Sequence, residues 1–286
     1  MDTKFWLIQT FNGVSYGALL FLLASGLTLI FGVMRIVNLS HGAYFLLGGY
    51  VALTVIKATG SWLLALPLAA LAVAVIGLAM ERIFLRPLGF DPLRQVLLTV
   101  GFAFLFQQAA LDIWGGDNLI IQPPPALSKS VVAGGLHLPV YRIFMIALAV
   151  AIGLALWYAM ERTRMGAMVR ATVDDAEMAR GVGIDTSRVS MFIFALGAFL
   201  AALGGVIGGA FLGVYPGLDF EVLPIAFAVV IIGGMGSLTG AAIGSMLVGL
   251  ADNFGKALFP EVAYFSLYAP MVLILAMKPT GLLGRE

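Results

Sequence analysis

The chain has 286 residues, of which 61% are hydrophobic and 11% are charged, and its mean hydropathy is +1.04. Soluble domains carry about 25% charged residues, so this composition excludes a soluble globular protein and indicates a membrane protein. The net charge of +1 implies neither nucleic acid nor an acidic surface as partner, and the lack of cysteine excludes disulfides and thiolate metal sites.

Long apolar runs follow one another along the whole chain. A helix needs about 20 apolar residues to cross the roughly 30 Å hydrocarbon core of a bilayer. Continuous runs of this kind, without the alternation of barrel strands, predict an all-α polytopic bundle that forms one transmembrane domain over residues 1–286. The eight predicted segments are Phe5–Val33, Gly42–Ile56, Trp62–Met80, Gln95–Trp114, Tyr141–Met160, Met191–Gly213, Val222–Leu250 and Val262–Met277.

Polar residues interrupt the apolar runs near the N-terminus, between Gly32 and Tyr50. One interpretation is a cytoplasmic turn in which Ser40 caps the next helix. The other is a discontinuous helix whose polar end faces a translocation path. On the second interpretation, four side chains line the path: Asn38, Ser40, His41 and Tyr44.

Arginine marks the loops that face the cytoplasm. It is frequent in Glu81–Arg94 and Glu161–Arg188, which we therefore place inside. Gly115–Val140 contains one basic residue and a run of three prolines, and Tyr215–Glu221 contains no basic residue. We expect these two loops to face the outside.

The segment Glu161–Arg188 is the one long charged stretch, and it predicts a short cytoplasmic helix pair that another protein binds. Composition favours helix from Gly166 to Arg180, and the following glycines stop it. One predicted face is apolar, with Met168, Ala171, Met178 and Val182, and the other is charged, with Arg170, Asp174, Glu177 and Arg180. The acidic residues argue against a membrane anchor. A solvated loop with local ion pairs is the alternative to a partner-binding surface.

A glycine-rich break is predicted within Val222–Leu250. If Glu221 is outside and the tail with Lys278 and Arg285 is inside, this segment must enter the membrane and return. Glycine permits such a break where the backbone is buried or lines a cavity. A single kinked span with the tail outside is the alternative. The break adds four candidate path residues: Gly233, Gly234, Gly236 and Ser237.

Enzyme chemistry finds little support in the sequence. The two histidines, His41 and His137, are far apart, and no HExxH motif is present. The phosphate-loop lookalike Gly249–Ala257 has one residue too many between its glycines and no hydroxyl residue after Lys256. We therefore expect no catalytic residue, no metal and no bound cofactor, and an energy source in another subunit.

Three motifs resemble the permease subunits of branched-chain amino acid ABC importers of the Liv type. They are MRIVNLSHGAYFLLGGYVA (Met34–Ala52), TRMGAMVRATVDDAEMARGVGIDTSRV (Thr163–Val189) and GGMGSLTGAAIGSMLVGL (Gly233–Leu250), and the tail KPTGLLGR (Lys278–Arg285) also fits. The resemblance spans nearly the whole chain. Members of the wider family move urea, short amides or aromatic acids, and Ala43 stands where many relatives have an acidic residue.

The resemblance implies a permease in a prokaryotic inner membrane that pairs with a second, homologous permease. It also implies an extracytoplasmic binding protein and two cytoplasmic ATPase subunits that hold ATP and magnesium. The ATPases would bind a coupling loop at about 161–189, through Arg170, Asp174, Asp175, Glu177, Met178, Ala179, Gly181, Gly183 and Ile184. The competing hypothesis is a stand-alone secondary transporter or channel for small solutes.

Overall fold

The computed structural model describes residues 3–89, 91–133 and 135–284, so the predicted tail residue Arg285 lies outside the described residues. The fold is an all-α bundle with one small hairpin. Its helices are α1 Thr3–Met34, α2 His41–Thr59, α3 Trp62–Met80, α4 Pro92–Trp114, α5 Val140–Arg162, α6 Arg164–Asp174, α7 Ala176–Gly181, α8 Thr186–Gly208, α9 Leu218–Gly233, α10 Leu238–Leu258 and α11 Ala263–Met277. The hairpin pairs β1 Ser130–Ala133 with β2 Leu136–Pro139 in antiparallel register.

The predicted all-α transmembrane class is confirmed. Within the described residues, six helices are long and apolar enough to cross a bilayer, and α9 with α10 forms a bent pair. Seven of the eight predicted segments each correspond to one helix, although α8 ends at Gly208 rather than Gly213. The remaining segment, Val222–Leu250, is divided between α9 and α10.

Helices α1 and α8 form the centre of the bundle. Most of each helix is buried, and α1 contacts α5, α8, α9 and α10. Glycines allow these contacts: a Cβ at Gly17 would lie 2.8 Å from the Ser245 carbonyl oxygen. Small residues let transmembrane helices approach to backbone contact. Helices α4 and α5 are peripheral, since little of their surface is buried within the chain.

The predicted break within Val222–Leu250 is a sharp turn. Helices α9 and α10 meet at a bend of 119°, and Gly234 and Gly236 adopt positive φ angles of 99° and 81°. Helix α10 then packs along α1. In the tail, Leu283 donates a backbone hydrogen bond of 2.9 Å to Gly233. The turn and the tail therefore lie at the same end of the bundle, as the entry-and-return interpretation requires.

The other end of the bundle carries the β-hairpin. An antiparallel bridge joins Leu119 of the predicted outside loop Gly115–Val140 to Val214, the residue just before the second predicted outside loop. At the opposite end, Met34, Arg86 and Ser187 border one cavity. The two arginine-rich loops are thus together at one end, and the two arginine-poor loops are together at the other.

Candidate functional site

The charged segment forms two short helices, α6 and α7, which we call the coupling pair. Thr163 caps α6 by accepting a hydrogen bond of 3.1 Å from the Gly166 N–H. Asp175 has extended backbone angles, ends α6 and caps α7 by accepting hydrogen bonds of 2.9 Å from the N–H groups of Glu177 and Met178. The prediction of helix pairing is met, but uninterrupted helix from Gly166 to Arg180 is wrong, because Asp175 satisfies the first amides of a new helix.

One side of the coupling pair is anchored in the bundle. Val169 is buried in a cluster with Leu29 of α1, Leu156 of α5 and Ile193 of α8. Arg170 is half-buried, and its Nη1 lies 3.8 Å from a Glu161 carboxylate oxygen. The pair is therefore attached by apolar packing to three membrane-spanning helices.

The other side of the coupling pair is exposed. Met178 and Val182 are 66% and 71% exposed. The predicted common apolar face is wrong, because the break at Asp175 leaves Met168 half-buried against the bundle while Met178 points away from it. Around the two apolar side chains lie further exposed members of the predicted coupling loop: Asp174, Asp175, Glu177, Gly181 and Gly183.

Two predicted coupling residues do not belong to the exposed surface. Ala179 is 3% exposed, and its carbonyl oxygen accepts a hydrogen bond of 3.0 Å from the Ile184 N–H. Ile184 is half-buried and borders a cavity. Ala179 therefore holds the shape of the coupling pair and is not available as a contact for a partner.

The second predicted site is a buried polar cluster in the link between α1 and α2, formed by Asn38, Ser40, His41 and Tyr44. All four residues are fully buried. Asn38 Oδ1 accepts hydrogen bonds from the Ser40 hydroxyl at 2.7 Å and the Ser40 N–H at 3.1 Å. The Tyr44 hydroxyl donates to the Met80 sulfur at 2.9 Å. Two nitrogens, Asn38 Nδ2 and His41 Nδ1, have no hydrogen-bond partner among the described residues.

The link returns into the bundle before α2 begins. His41 Nε2 donates a hydrogen bond of 2.9 Å to the carbonyl oxygen of Leu23, about 16 Å before the end of α1 at a rise of 1.5 Å per residue. Arg35 has a positive φ of 54° at the reversal. Ser40 makes no side-chain cap, so the alternative of a simple turn capped by Ser40 is wrong. The chain forms a buried helix start, as the discontinuous-helix interpretation expects.

The glycine turn, Gly233–Ser237, lies at a different level of the bundle. The Gly236 N–H donates a hydrogen bond of 3.1 Å to Thr28 Oγ1, and a Cβ at Gly32 would lie 3.1 Å from the Gly236 Cα. Gly233 and Gly234 are buried, whereas Gly236 is exposed. The polar cluster instead meets α1 at Leu23. The two halves of the predicted path therefore contact α1 at different levels, at Leu23 and at Thr28.

Three residues of this region were missed in the sequence. Thr99 of α4 accepts a hydrogen bond of 3.2 Å from the Leu39 N–H, and Met80 receives the Tyr44 hydroxyl. Asp219 is buried in the first turn of α9, where the helix dipole favours a negative charge. A polar residue in an otherwise apolar run is the signal for Thr99. Asp219 falls in a stretch that was predicted to be an outside loop, and nothing in the local sequence indicates its burial.

Known proteins resemble the chain over nearly its whole length. A family model described as branched-chain amino acid transport system / permease component matches residues 9–277. The high-affinity branched-chain amino acid transport system permease protein LivH of Escherichia coli is 32% identical over 98% of this chain and 96% of its own length. The corresponding protein BraD of Pseudomonas aeruginosa is 31% identical with the same coverage of both chains.

More distant relatives carry other names. The permease protein LivM of Salmonella typhimurium is 27% identical over 92% of this chain and 67% of its own length. The autoinducer 2 import system permease protein LsrC of Yersinia pseudotuberculosis is 30% identical over 88% of this chain and 72% of its own length. No solved structure gives a significant match.

Proposed function

Because the chain belongs to the family of permease components of branched-chain amino acid transport systems, we propose that it forms part of the path through which an ATP-driven importer moves such amino acids. The chain is a multi-pass membrane protein, and we place it in the inner membrane of a prokaryote. A related small solute is the alternative substrate, since LsrC belongs to a system with a different named cargo.

A second permease completes the path in this proposal. Relatives exist under two permease names, LivH and LivM, and this chain is similar to both. The polar cluster and the glycine turn contact α1 at different levels, which fits a path that two subunits complete. An extracytoplasmic binding protein would deliver the substrate to the end that carries the β-hairpin.

The observation that carries the proposal is the architecture of the coupling pair. Its inner side is fixed to α1, α5 and α8 through the Val169 cluster, while Met178 and Val182 remain uncovered. Burying two apolar side chains of this size stabilises a complex by about 1.5–3 kcal/mol each. Exposed apolar residues within an acidic rim are typical of the core of a protein interface. We assign this surface to cytoplasmic ATPase subunits, which would bind and hydrolyse the ATP.

The connections of the coupling pair would transmit motion from the ATPases to the spans. A single residue, Thr163, separates α5 from α6, and Val182–Asp185 joins α7 to α8. A displacement of the pair therefore pulls directly on one peripheral helix and on one central helix. Rigid-body movement of packed helices is an established way to convert a local event into alternating access.

Transport assays on sealed membrane vesicles test this proposal. Uptake of labelled L-leucine should require ATP and should persist after ionophores have collapsed the ion gradients. Mass spectrometry of the gently purified chain should recover ATPase subunits and a second permease. Uptake that follows an ion gradient without ATP, from a chain that purifies alone, would favour the secondary transporter instead.

A further inference from the structure

A cavity of about 420 Å³ lies at the predicted cytoplasmic end of the bundle, behind the coupling pair. This volume falls within the range of about 300–1,000 Å³ that small-molecule sites occupy. Five parts of the chain form its walls: the end of α1, the turn after α3, the start of α4, the coupling pair and the start of α8. Side chains from these walls include Val33, Glu81, Arg86, Thr172, Arg180 and Ser190.

Glu81 is the unusual member of this lining. It is 2% exposed, and its Oε2 atom has no hydrogen-bond partner among the described residues. A buried carboxylate oxygen without a hydrogen-bond donor is costly, and the electrostatic attraction of Arg86 and Arg82 to this carboxylate leaves that donor position unfilled. Glu81 also begins a π-helical turn, Glu81–Leu85, a feature that occurs frequently at functional sites.

Positive charges border the same cavity. Arg86 follows the π-helical turn and interacts electrostatically with the Glu81 carboxylate, whereas Arg180 belongs to the coupling pair. Arg180 Nε donates a hydrogen bond of 3.0 Å to Thr186 Oγ1, which fixes the base of the side chain. A guanidinium group is well suited to bind a carboxylate in a bidentate manner. The walls thus carry two carboxylates, Glu81 and Asp185, and two guanidinium groups, Arg86 and Arg180.

The rest of the lining is mostly apolar or carries hydroxyl groups, and Gln95 adds a side-chain amide. Val33, Ile36 and Leu85 supply aliphatic surface, while Ser187 and Ser190 supply hydroxyls. An ammonium group suits the unsatisfied Glu81 oxygen, a carboxylate group suits a guanidinium group, and a short aliphatic side chain suits the apolar wall. An aliphatic α-amino acid in its zwitterionic form meets this description.

We propose that the cavity is a cytoplasmic binding site for an aliphatic amino acid, with Glu81 binding the ammonium group and the arginine side of the cavity binding the carboxylate. This inference rests on the proposed function, since it identifies where an imported amino acid is held on the inner side. Because the coupling pair forms one wall, an occupied cavity fixes that pair against α3 and α8.

The test measures equilibrium binding of labelled L-leucine to the chain in lipid nanodiscs, with its co-purifying subunits but without a binding protein. The wild-type protein should show saturable binding. Glu81→Gln should weaken binding about tenfold or more, because it removes a charge-assisted hydrogen bond. Glu261→Gln, which changes an exposed glutamate at the other end, is the matched control and should bind as the wild type does.

A second variant covers the case in which Glu81→Gln fails to assemble. Ser190→Phe fills the cavity without a change of charge and should also abolish saturable binding. Isocaproate, which has the side chain and carboxylate of leucine but no amino group, should compete poorly with L-leucine. Equal affinity in wild type, Glu81→Gln and Ser190→Phe would overturn the site, and so would a lack of saturable binding to the wild type.

ATP-driven uptake separates this inference from the proposed function. Wild-type vesicles that transport L-leucine while the purified complex fails to bind it would overturn the cavity site alone. Saturable, Glu81-dependent binding in a protein that transports L-leucine without ATP would overturn the importer proposal and retain the cavity.

Discussion

Asp175 Oδ1 accepts a hydrogen bond of 2.9 Å from the backbone N–H of Met178. The residue that separates the two coupling helices therefore also fixes the position of Met178, the exposed apolar residue of α7. Helix α7 has only six residues, and so short a helix is not stable without caps or packing. The exposure of Met178 therefore depends on the Asp175 cap and on the burial of Ala179 beneath it.

Loss of the cap should weaken ATPase binding. Asp175→Ala leaves the Glu177 and Met178 amides without their partner and should cost about 1 kcal/mol of local helix stability. Asp175→Asn retains a capping oxygen and should behave almost as the wild type does. Hydrogen exchange of the α7 amides checks this, with faster exchange expected in the alanine variant alone. Equal exchange in both variants would contradict the role of the cap.

Removal of the apolar contacts should release the ATPase subunits without affecting the membrane domain. The double variant Met178→Ser with Val182→Ser should lose ATPase co-purification, because it removes the two exposed apolar side chains of the proposed contact surface. Both side chains are exposed in the chain, so the substitutions should not disturb its packing. Val132→Ser changes an exposed valine on the β-hairpin and is the matched control. Full ATPase recovery with the double variant would argue against this surface.

Close packing of α2 on α8 should tolerate no added methyl group. A Cβ at Gly48 would overlap the backbone carbonyl oxygen of Ala202, so Gly48→Ala must separate the two helices. We expect a loss of about 1–3 kcal/mol in stability. Gly101→Ala is the control, because a Cβ there meets no atom within 4 Å. Thermal denaturation in detergent should show a lower midpoint for Gly48→Ala only, and equal midpoints would contradict the packing.

Within the polar cluster, the Asn38 acceptor should matter more to the stability of the fold than the Tyr44 hydroxyl. Asn38→Ala leaves the Ser40 N–H unpaired in the interior and the Ser40 hydroxyl with only a long contact of 3.6 Å to the Met80 sulfur, and it should cost about 1–3 kcal/mol. Tyr44→Phe removes a single bond to sulfur and should retain most of the stability. Thermal denaturation compares the two variants. A larger loss in Tyr44→Phe than in Asn38→Ala would be inconsistent with this network.

Much of the fold follows from local features of the sequence. The apolar runs predict the spans within a few residues, as Trp62–Met80 shows without any shift, because the bilayer sets both the length and the composition of a helix. The break at Gly234 and Gly236 is predicted because positive φ angles require glycine there. The end of α8 at Gly208 was missed, because the apolar run continues beyond it into a partly buried loop.

The candidate sites were less predictable, because they depend on tertiary contacts. Composition identifies the charged segment but does not reveal that Asp175 divides it or that Ala179 turns inward. The burial of Glu81 depends on the meeting of α1, α3 and α8, which residues far apart in the chain bring about. Arg-rich surroundings made Glu81 look like a member of an ordinary solvent-exposed loop.

Site-specific cross-linking tests the central claim most directly, since the chain contains no cysteine. Met178→Cys introduces a single thiol on the exposed side of α7, and Val132→Cys introduces one at the opposite end. After labelling with a thiol-reactive photo-cross-linker in native membranes, mass spectrometry identifies the partner. We predict that irradiation joins Met178→Cys to an ATPase subunit and leaves Val132→Cys without this product. Efficient labelling of Met178→Cys with no ATPase adduct would contradict the assignment of the coupling pair.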